Sequence, residues 1–292
     1  MKKTYKTSAR YRLAKDKIVF GCICLLTSVT MVPLFLILSE LLRKGYKQLN
    51  LNLFTEIAPT TMEAMIARMN HELIPGGILN GLTGTVLILS IAIMIAIPLG
   101  ILVGIYLAEN GERRFAKFIR SLTDLMQGIP SIVIGIIVYS WVVKPMHGYS
   151  ALAGSISLAI MMLPMVIRST EESLKMLPLS LKEAGLALGG SYMSVILRIL
   201  LPSAFGGLFT GSLLAISRVT GETAPLLVTA LGAAMVNWDV TQPTSAISLL
   251  IWEFYNDPNL ADLVWSSSLL LLFFVLGVNI FAKSVASRWK IQ

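Results

Sequence analysis

An arginine and a glutamate stand four residues apart in a stretch that carries no other charge. Within residues 203–236, only Arg218 and Glu222 are charged, and they lie in the sequence AISRVTGETAPLL. A guanidinium offers planar, two-pronged hydrogen-bond donation to an oxyanion, and the hydroxyls of Thr220 and Thr223 can add neutral hydrogen bonds. The carboxylate of Glu222 can hold the arginine or accept a proton from a protonated anion. These side chains are therefore candidates for the path of a small oxyanion.

The cost of burying these charges leaves two interpretations open. An ion at the centre of a membrane helix costs on the order of 3 kcal/mol, so it faces a polar cavity or another charge. If the helix is continuous, Arg218 and Glu222 lie on one face and neutralise each other. The hydroxyls and helix breakers of residues 220–225 favour instead an opened helix that lines an aqueous path. Arg168 is a second candidate for the path, and its alternative is an ordinary snorkelling residue.

A second constellation lies in residues 171–202, which we call the elbow. The sequence PLSLKEAGLALGGSYMSVILRILLP predicts a short helix opened by Pro178 and ended by Gly189 and Gly190. Ser191 is placed to cap a second helix. The segment is therefore predicted to form a helix, a turn and a helix.

The first helix of the elbow is predicted to carry an apolar face. Leu181, Ala184 and Leu188 fall on that face, and Glu183 sits beside it. Ala184 and Gly185 are small enough to let another backbone or side chain come near. This face is therefore a candidate contact surface.

Both constellations must be positioned by segments of membrane-spanning length. The 292 residues are 55% hydrophobic and only 14% charged, with a mean hydropathy of +0.75, which is typical of a polytopic membrane protein. Six spans, the fifth interrupted, are predicted at about 18–42, 80–108, 125–143, 149–167, 203–236 and 263–282. We therefore expect an all-α membrane protein, with a basic tail at residues 1–17 and a single membrane domain at residues 18–292.

The distribution of lysine and arginine predicts the orientation of the spans. Residues 1–17 hold seven basic residues, 109–123 four, 168–202 four and the C-terminal segment three, whereas the alternate loops hold four, one and none. The side richer in basic residues is cytoplasmic. Both termini and the elbow are therefore expected in the cytoplasm, and the net charge of +8 needs no nucleic acid to explain it.

Several features are predicted to be structural. The first span is about 25 residues long and lacks an A-x-A-like site, so it should remain as an anchor. Cys22 and Cys24 are too close for an unstrained disulfide, and His71 has no companion ligands, so no metal site is expected. Residues 237–262 resemble an outer belt of interfacial aromatic residues, although a docking partner is an alternative.

Seven positions of the elbow resemble the EAA signature of ABC importer permeases, E-A-A-x3-G-x9-I-x-L-P. The matching residues are Glu183, Ala184, Gly185, Gly189, Ile199, Leu201 and Pro202, with Gly185 in place of the second alanine. Three further stretches, PGGILNGLTGT, GIPSIVIGI and RVTGETAPLL, are similar to phosphate importer permeases of the PstA type. The resemblance covers residues 75–236 and implies the type I, MetI-like permease fold.

That resemblance implies a coupling role for the elbow, which in this family inserts into a groove of an ATP-hydrolysing subunit. This chain has no G-x-x-x-x-G-K-[ST] motif, so ATP and Mg²⁺ are expected on that partner, with no cofactor on this chain. The family also implies a homologous PstC-type permease, two copies of a PstB-type ATPase and a PstS-type phosphate-binding protein in a bacterial or archaeal inner membrane. Its transport residues match Arg218 and Glu222.

Three rival functions remain open. Because the EAA signature does not read substrate, the chain could import another oxyanion or a small amino acid. A proton-driven carrier could work alone through Glu222. A membrane-embedded enzyme using Glu222 and His71 has the least support, because the predicted topology separates the two residues and supplies no third group.

Overall fold

The computed structural model describes residues 9–288, and these are almost entirely helical. In chain order the helices are α1 (Ala9–Gly45), α2 (Asn52–Thr55), α3 (Thr61–Met69), α4 (Leu79–Glu109), α5 (Arg114–Gly128), α6 (Ser131–Val138), α7 (Lys144–Met146), α8 (Ala151–Lys175), α9 (Leu179–Ala187), α10 (Tyr192–Val195), α11 (Leu201–Thr220), α12 (Ala224–Leu227), α13 (Ile247–Asn256) and α14 (Ala261–Arg288). Part of the predicted basic tail, residues 1–8, lies outside the described residues, as does Lys290.

Five helices in the described part of the chain are long and apolar enough to cross a membrane. They run over Lys15–Gln48, Leu79–Glu109, Ala151–Lys175, Tyr192–Thr220 and Pro258–Val285. A sixth span requires the pair Arg114–Gly128 and Ser131–Met146, which is bent by 106°. The straight span expected at 125–143 is therefore wrong at its start, because Pro130 disfavours helix at the preceding residue and α5 has already ended at Gly128.

The fifth apolar run also differs from a single crossing. Its helix begins at Tyr192, continues without a break into α11 and ends at Thr220. Residues 221–246 then fold back as short turns, with positive φ at Leu231 and Gly232. The 203–236 run is therefore interrupted at Gly221, and its remainder belongs to a loop of residues 221–246, which we call the 221–246 loop.

Helix α8 forms the centre of the bundle, and α4 packs closely along one side of it. A Cβ added at Gly100 would lie 2.6 Å from Cγ1 of Val166, and one at Gly104 would lie 2.5 Å from Cβ of Thr170. Only glycine allows the two backbones to approach this closely.

Helix α11 also packs closely against α8 through glycines. A Cβ at Gly207 would lie 2.8 Å from Cβ of Ser173, and one at Gly211 would overlap the side chain of Ser169. The Ser169 hydroxyl donates a hydrogen bond of 3.2 Å to the carbonyl of Gly207. A G-x-x-x-G pair on α4 and another on α11 therefore hold α8 between them.

The 221–246 loop caps the N-terminus of α8, where helix N–H groups have no partner within the helix. The backbone N–H of Ala151 donates to the carbonyl of Gln242, and that of Leu152 to the carbonyl of Val240. The side chain of Ser150 accepts from the N–H of Ala153 at 3.1 Å. Residues 229–242 are thus anchored to the bundle.

Two π turns stand just before prolines inside long helices. Tyr139–Val143 precedes Pro145, and Ile196–Leu200 precedes Pro202. Proline donates no N–H and crowds the preceding turn, so a wider turn lets the helix continue past it. The helix from Tyr192 to Thr220 is therefore continuous despite Pro202.

Candidate functional site

Arg218 and Glu222 lie on either side of a helix end. Arg218 is in the last turn of α11 and is exposed, whereas Glu222 follows the C-cap residue Gly221 and is half-buried. Within residues 9–288, neither side chain forms an ion pair within 4.0 Å. The continuous helix that would pair them is absent, because α11 ends at Thr220. Arg218 therefore presents an uncompensated guanidinium to the surface of this chain.

The close packing of α11 on α8 shows how deep Arg218 sits. Gly207 lies against Ser173 and Gly211 against Ser169, so each step along α11 matches one step back along α8. The same antiparallel register places Arg218 level with Met162, near the middle of α8. The guanidinium is thus at the depth where charge is most costly in lipid.

A cavity of about 460 Å³ lies beside the end of α11, between α1, α13 and α14. Its lining is mostly apolar and includes the hydroxyl-bearing residues Ser217, Thr223, Ser248 and Ser268. Within the described part of the chain, the Ser217 hydroxyl is buried without a hydrogen-bond partner. The cavity therefore contains one unsatisfied hydroxyl, and Thr223 is among the residues that line it.

Thr220 is placed differently. It is 4% exposed, and its hydroxyl donates a 2.7 Å hydrogen bond to the carbonyl of Ile216 in its own helix. It lines a small void with apolar neighbours such as Leu158. Its hydroxyl therefore satisfies its own helix, whereas that of Thr223 borders the cavity.

Arg168 lies in a cluster of acidic residues, nearer the C-terminal end of α8 than the level of Arg218. Its guanidinium is 3.6 Å from Glu172, 3.7 Å from Asp124 and 4.0 Å from Glu171. The structure does not bring the two candidate arginines together. Arg168 is surrounded by negative charge, and any contact with an anion would compete with these carboxylates.

Glu171 is the buried centre of that cluster. Its side chain is 1% exposed, and one oxygen accepts two hydrogen bonds from Arg120, at 2.6 and 3.0 Å, and one from Lys175 at 2.6 Å. Arg120 belongs to α5, so the carboxylate of Glu171 links α5 to α8. Sequence reasoning missed Glu171, although its spacing from Lys175 is that of a helical ion pair.

The elbow has the predicted helix-turn-helix form. Helix α9 ends in a Schellman turn, in which the N–H of Gly190 donates to the carbonyl of Gly185 and that of Gly189 to Leu186. Gly189 has φ of +83°, a conformation that favours glycine. Ser191 caps α10 by accepting from the N–H of Ser194. The glycine of the signature is therefore required by the backbone of the turn.

Gly185 and Leu181 both face the second helix of the elbow. Gly185 is buried, and a Cβ there would lie 2.8 Å from Cδ1 of Ile199. Leu181 packs inward with Ile199 and Leu201 on a core around Val195. The predicted face of Leu181, Ala184 and Leu188 is therefore only partly exposed, because Leu181 is partly buried against the following helix while Ala184 and Leu188 are exposed.

The outward side of the elbow is strongly apolar. Leu188 is 89% exposed, Met176 78% and Leu179 76%, while Ala184 and Glu183 are also exposed. Pro202, the last residue of the signature, is exposed at the start of α11. Leucines this open to solvent at one end of a bundle indicate a surface that another protein covers.

The end of the molecule opposite the elbow carries the predicted aromatic side chains. Trp238, Trp252 and Tyr255 are exposed, and the ring of Trp265 lies 4.6 Å from the ammonium of Lys44. Within residues 9–288 no group of three or more His, Cys, Asp and Glu side chains is arranged to hold a metal ion. Cys22 and Cys24 are free.

Asn80 is a buried polar residue that sequence reasoning did not single out. It is 1% exposed, and its side chain donates to the carbonyl of Ala233 at 2.9 Å while accepting from the N–H of Ala58 at 3.3 Å. A Cβ at nearby Gly84 would overlap the backbone carbonyl of Ser245. The stretch PGGILNGLTGT thus fastens the 221–246 loop to α4.

Known proteins resemble this chain over most of its length. A family model described as binding-protein-dependent transport system inner membrane component matches residues 100–291. The phosphate transport system permease protein PstA of Haemophilus influenzae is 36% identical over 276 residues, covering 94% of each chain. The probable PstA of Methanocaldococcus jannaschii is 33% identical over 270 residues, covering 91% of this chain and 92% of its own.

Solved structures show the same fold. A chain of the inward-facing MetNI methionine ABC transporter superposes with a TM-score of 0.61 at 18% identity, covering 72% of this chain and 95% of that one. A chain of an amino acid ABC transporter superposes with a TM-score of 0.53 at 14% identity.

Proposed function

Because the chain belongs to the family of binding-protein-dependent transport system inner membrane components, we propose that it is the PstA-type permease subunit of an ATP-driven importer of inorganic phosphate. The observation that carries this proposal is its 33–39% identity, over most of its length, to several curated phosphate permeases. The uncompensated Arg218 at mid-bundle depth supports an anionic substrate.

The complex that this role requires contains other chains. A homologous PstC-type permease would complete the path, and two PstB-type ATPases would bind ATP and Mg²⁺ and receive the elbows. A PstS-type binding protein would deliver phosphate to the outer loops. The exposed leucines on the elbow support a partner at that surface, and the exposed apolar side chains of α1 support a partner along that helix. Both termini would be cytoplasmic in the inner membrane, as the basic residues predict.

The substrate path would run past the end of α11. Arg218 would contact phosphate with two parallel N–H groups, and Thr223 and Glu222 would border the same break in the helix. Arg168 would act at the inner end, where the carboxylates around it weaken anion binding and favour release. A site that must let its ligand go benefits from few, exposed charges.

Transport would follow from two arrangements of the bundle. ATP-driven closure of the partner ATPases would displace the elbows, and the bundle would open outward; release of the products would return it to the inward-open form. The binding protein and phosphate bias this equilibrium only through different affinities for the two forms.

The decisive experiment is phosphate uptake into proteoliposomes that contain the complete complex with Arg218→Leu in this chain. We expect uptake to fall by at least about tenfold, because a charge-assisted contact with phosphate is worth roughly 1.5–3 kcal/mol. Arg218→Lys is the matched control and should retain part of the activity, since it keeps the charge and loses the two-pronged geometry.

Three outcomes would contradict the proposal. Wild-type uptake by Arg218→Leu would remove this residue from the path. Uptake of another oxyanion or a small amino acid in preference to phosphate would give the chain a different substrate. Uptake by this chain alone, driven by a pH gradient and indifferent to ATP, would indicate a proton-coupled carrier that works through Glu222.

A further inference from the structure

One carboxylate beneath the elbow joins three helices. Glu109 is the last residue of α4, and its Oε2 accepts hydrogen bonds from the ammonium of Lys182 on α9 and from the phenol of Tyr192 on α10. These donors are 73 and 83 residues away in the sequence. The side chains of Glu109 and Lys182 are only 12% and 26% exposed. We call this set of three residues the bracket.

An isolated glutamate would be unfavourable at this place. The C-terminus of a helix carries partial negative charge, which repels an acidic side chain. Helix α4 has no basic residue in its last turn to compensate. Lys182 supplies the missing charge, and its contact with Glu109 raises the pKa of the lysine. The charge of Glu109 is therefore balanced only while the elbow is in place.

The two donors of the bracket, Lys182 and Tyr192, also contact each other. The ammonium of Lys182 lies 4.9 Å from the centre of the Tyr192 ring, within the range of a cation–π contact. Because both donors share one oxygen and touch each other, none of the three helices can move away without breaking polar contacts in a partly buried place. Such groups are costly to leave unpaired.

Apolar packing alone does not fix the elbow on this side. A cavity of about 360 Å³ separates the ends of α4 and α8 from α9, and Leu174, Leu177, Leu179 and Leu200 line part of it. Glu109 and Lys182 border the same cavity. Ile105 of α4 packs on the apolar cluster of Val195, Ile196 and Leu200 in the elbow. Beside the gap that the leucines leave, the bracket adds a polar link between the elbow and α4.

We infer that Glu109 is a positioning residue that makes α4 follow the elbow when a partner ATPase displaces it. This inference rests on the proposed function. The bracket would carry the displacement from α9 to α4, and the glycine contacts of α4 would pass it to α8. Without the bracket, α9 would tilt about its connection to α8 while α4 stayed behind, and hydrolysis would proceed with little transport.

The test uses the complete complex in proteoliposomes, with uptake of radiolabelled phosphate and ATP hydrolysis measured on the same vesicles. Glu109→Gln should lower the phosphate moved per ATP by at least about fivefold, the lower end of a typical coupling energy. Tyr192→Phe, which removes one hydroxyl and keeps the ring, should lower it by a smaller factor. Basal hydrolysis by the ATPases should persist.

A charge exchange separates positioning from simple loss of structure. Glu109→Lys and Lys182→Glu should each uncouple the complex, and the double variant should restore the ratio to within about twofold of wild type, because the pair is remade with opposite sign. Glu112→Gln is the matched control. Its side chain is 98% exposed and pairs only with Lys117 at the surface, so the ratio should not change.

Each outcome decides the question. An unchanged ratio in Glu109→Gln, or a double variant as uncoupled as its parents, would overturn the inference while leaving the proposed function intact. A wild-type complex that moves no phosphate would overturn both.

Discussion

The environments of two arginines at different depths show how one residue type serves two purposes. Arg168 has three carboxylates within 4.0 Å, so its charge is balanced inside the chain. Arg218 has no acidic partner among the described residues, although it lies level with the middle of α8. A charge that is left uncompensated at such depth is usually functional.

At the scale of single residues, the buried carboxylate of Glu171 is predicted to stabilise the protein. Glu171→Gln should destabilise the protein by on the order of 3 kcal/mol, because Arg120 and Lys175 lose the charge that compensates them. Glu172→Gln is the control, since the Glu172 side chain is 65% exposed and a surface pair contributes less than about 1 kcal/mol. The measurement is the temperature at which the detergent-purified complex loses its monodisperse state. Equal temperatures for both variants would contradict the assigned role of Glu171.

What the sequence could predict at this scale depended on helix continuity. The positions of Arg218 and Glu222 in an apolar run were sufficient to identify them as unusual. Their pairing could not be decided, because spacing of four residues implies a shared face only in an unbroken helix. Gly221 ends the helix between them, and a glycine near a helix end is compatible with either outcome.

At the scale of elements, the bundle depends on helix backbones that lie closer together than any residue larger than glycine would allow. Helix α8 contacts α4 through Gly100 and Gly104, and α11 through Gly207 and Gly211. Little hydrophobic driving force exists between helices in lipid, so close van der Waals contact carries the association. Glycine is therefore placed where it stabilises the bundle most.

A compensated pair of substitutions tests this packing. Gly211→Ala should destabilise the bundle by roughly 1–3 kcal/mol, because its methyl group would overlap the Ser169 side chain. Adding Ser169→Gly removes the obstacle and should recover part of the loss. Thermal inactivation of the purified protein measures both. Gly277→Ala, with nothing within 4 Å of the new methyl group, is the control; an equal loss there, or no recovery in the double variant, would contradict the contact.

The elements of the elbow were predictable, and their packing was not. Pro178, Gly189 and Ser191 have local signatures that do not depend on the rest of the chain, and the structure places each at the predicted end of a helix. The inward direction of Gly185 follows from contact with Ile199, fourteen residues later. The π turn before Pro202 changes the helical period and therefore the face on which later residues fall.

The whole molecule has two chemically different ends. Residues 229–242 cap the start of α8, and the elbow follows its end, so these two segments lie at opposite ends of one helix. The elbow end is richer in lysine and arginine. The sequence predicted this division from charge alone, whereas the 106° bend between α5 and α6 was not predicted, although Pro130 disfavours helix at the residue before it.

Orientation can be measured by labelling with a membrane-impermeant maleimide. In a background with Cys22→Ala and Cys24→Ala, a cysteine at Ser180 should react only from the cytoplasmic side, and one at Gln242 only from the outside. Both positions are exposed. The asymmetry of basic residues gives this sign. Labelling of both positions from the same side would contradict the topology.

The placement of α8 has a consequence for which changes the chain can tolerate. The first turn of α8 is hydrogen-bonded to the 221–246 loop, and its last residues belong to the elbow. The helix therefore sets the distance between these two segments. Each residue of an α-helix advances the chain by about 1.5 Å and turns it by about 100°. Inserting or deleting a single residue between Ser150 and Lys175 would therefore misalign one end, while many substitutions of similar size would not. The length of this helix should be constrained more tightly than its composition.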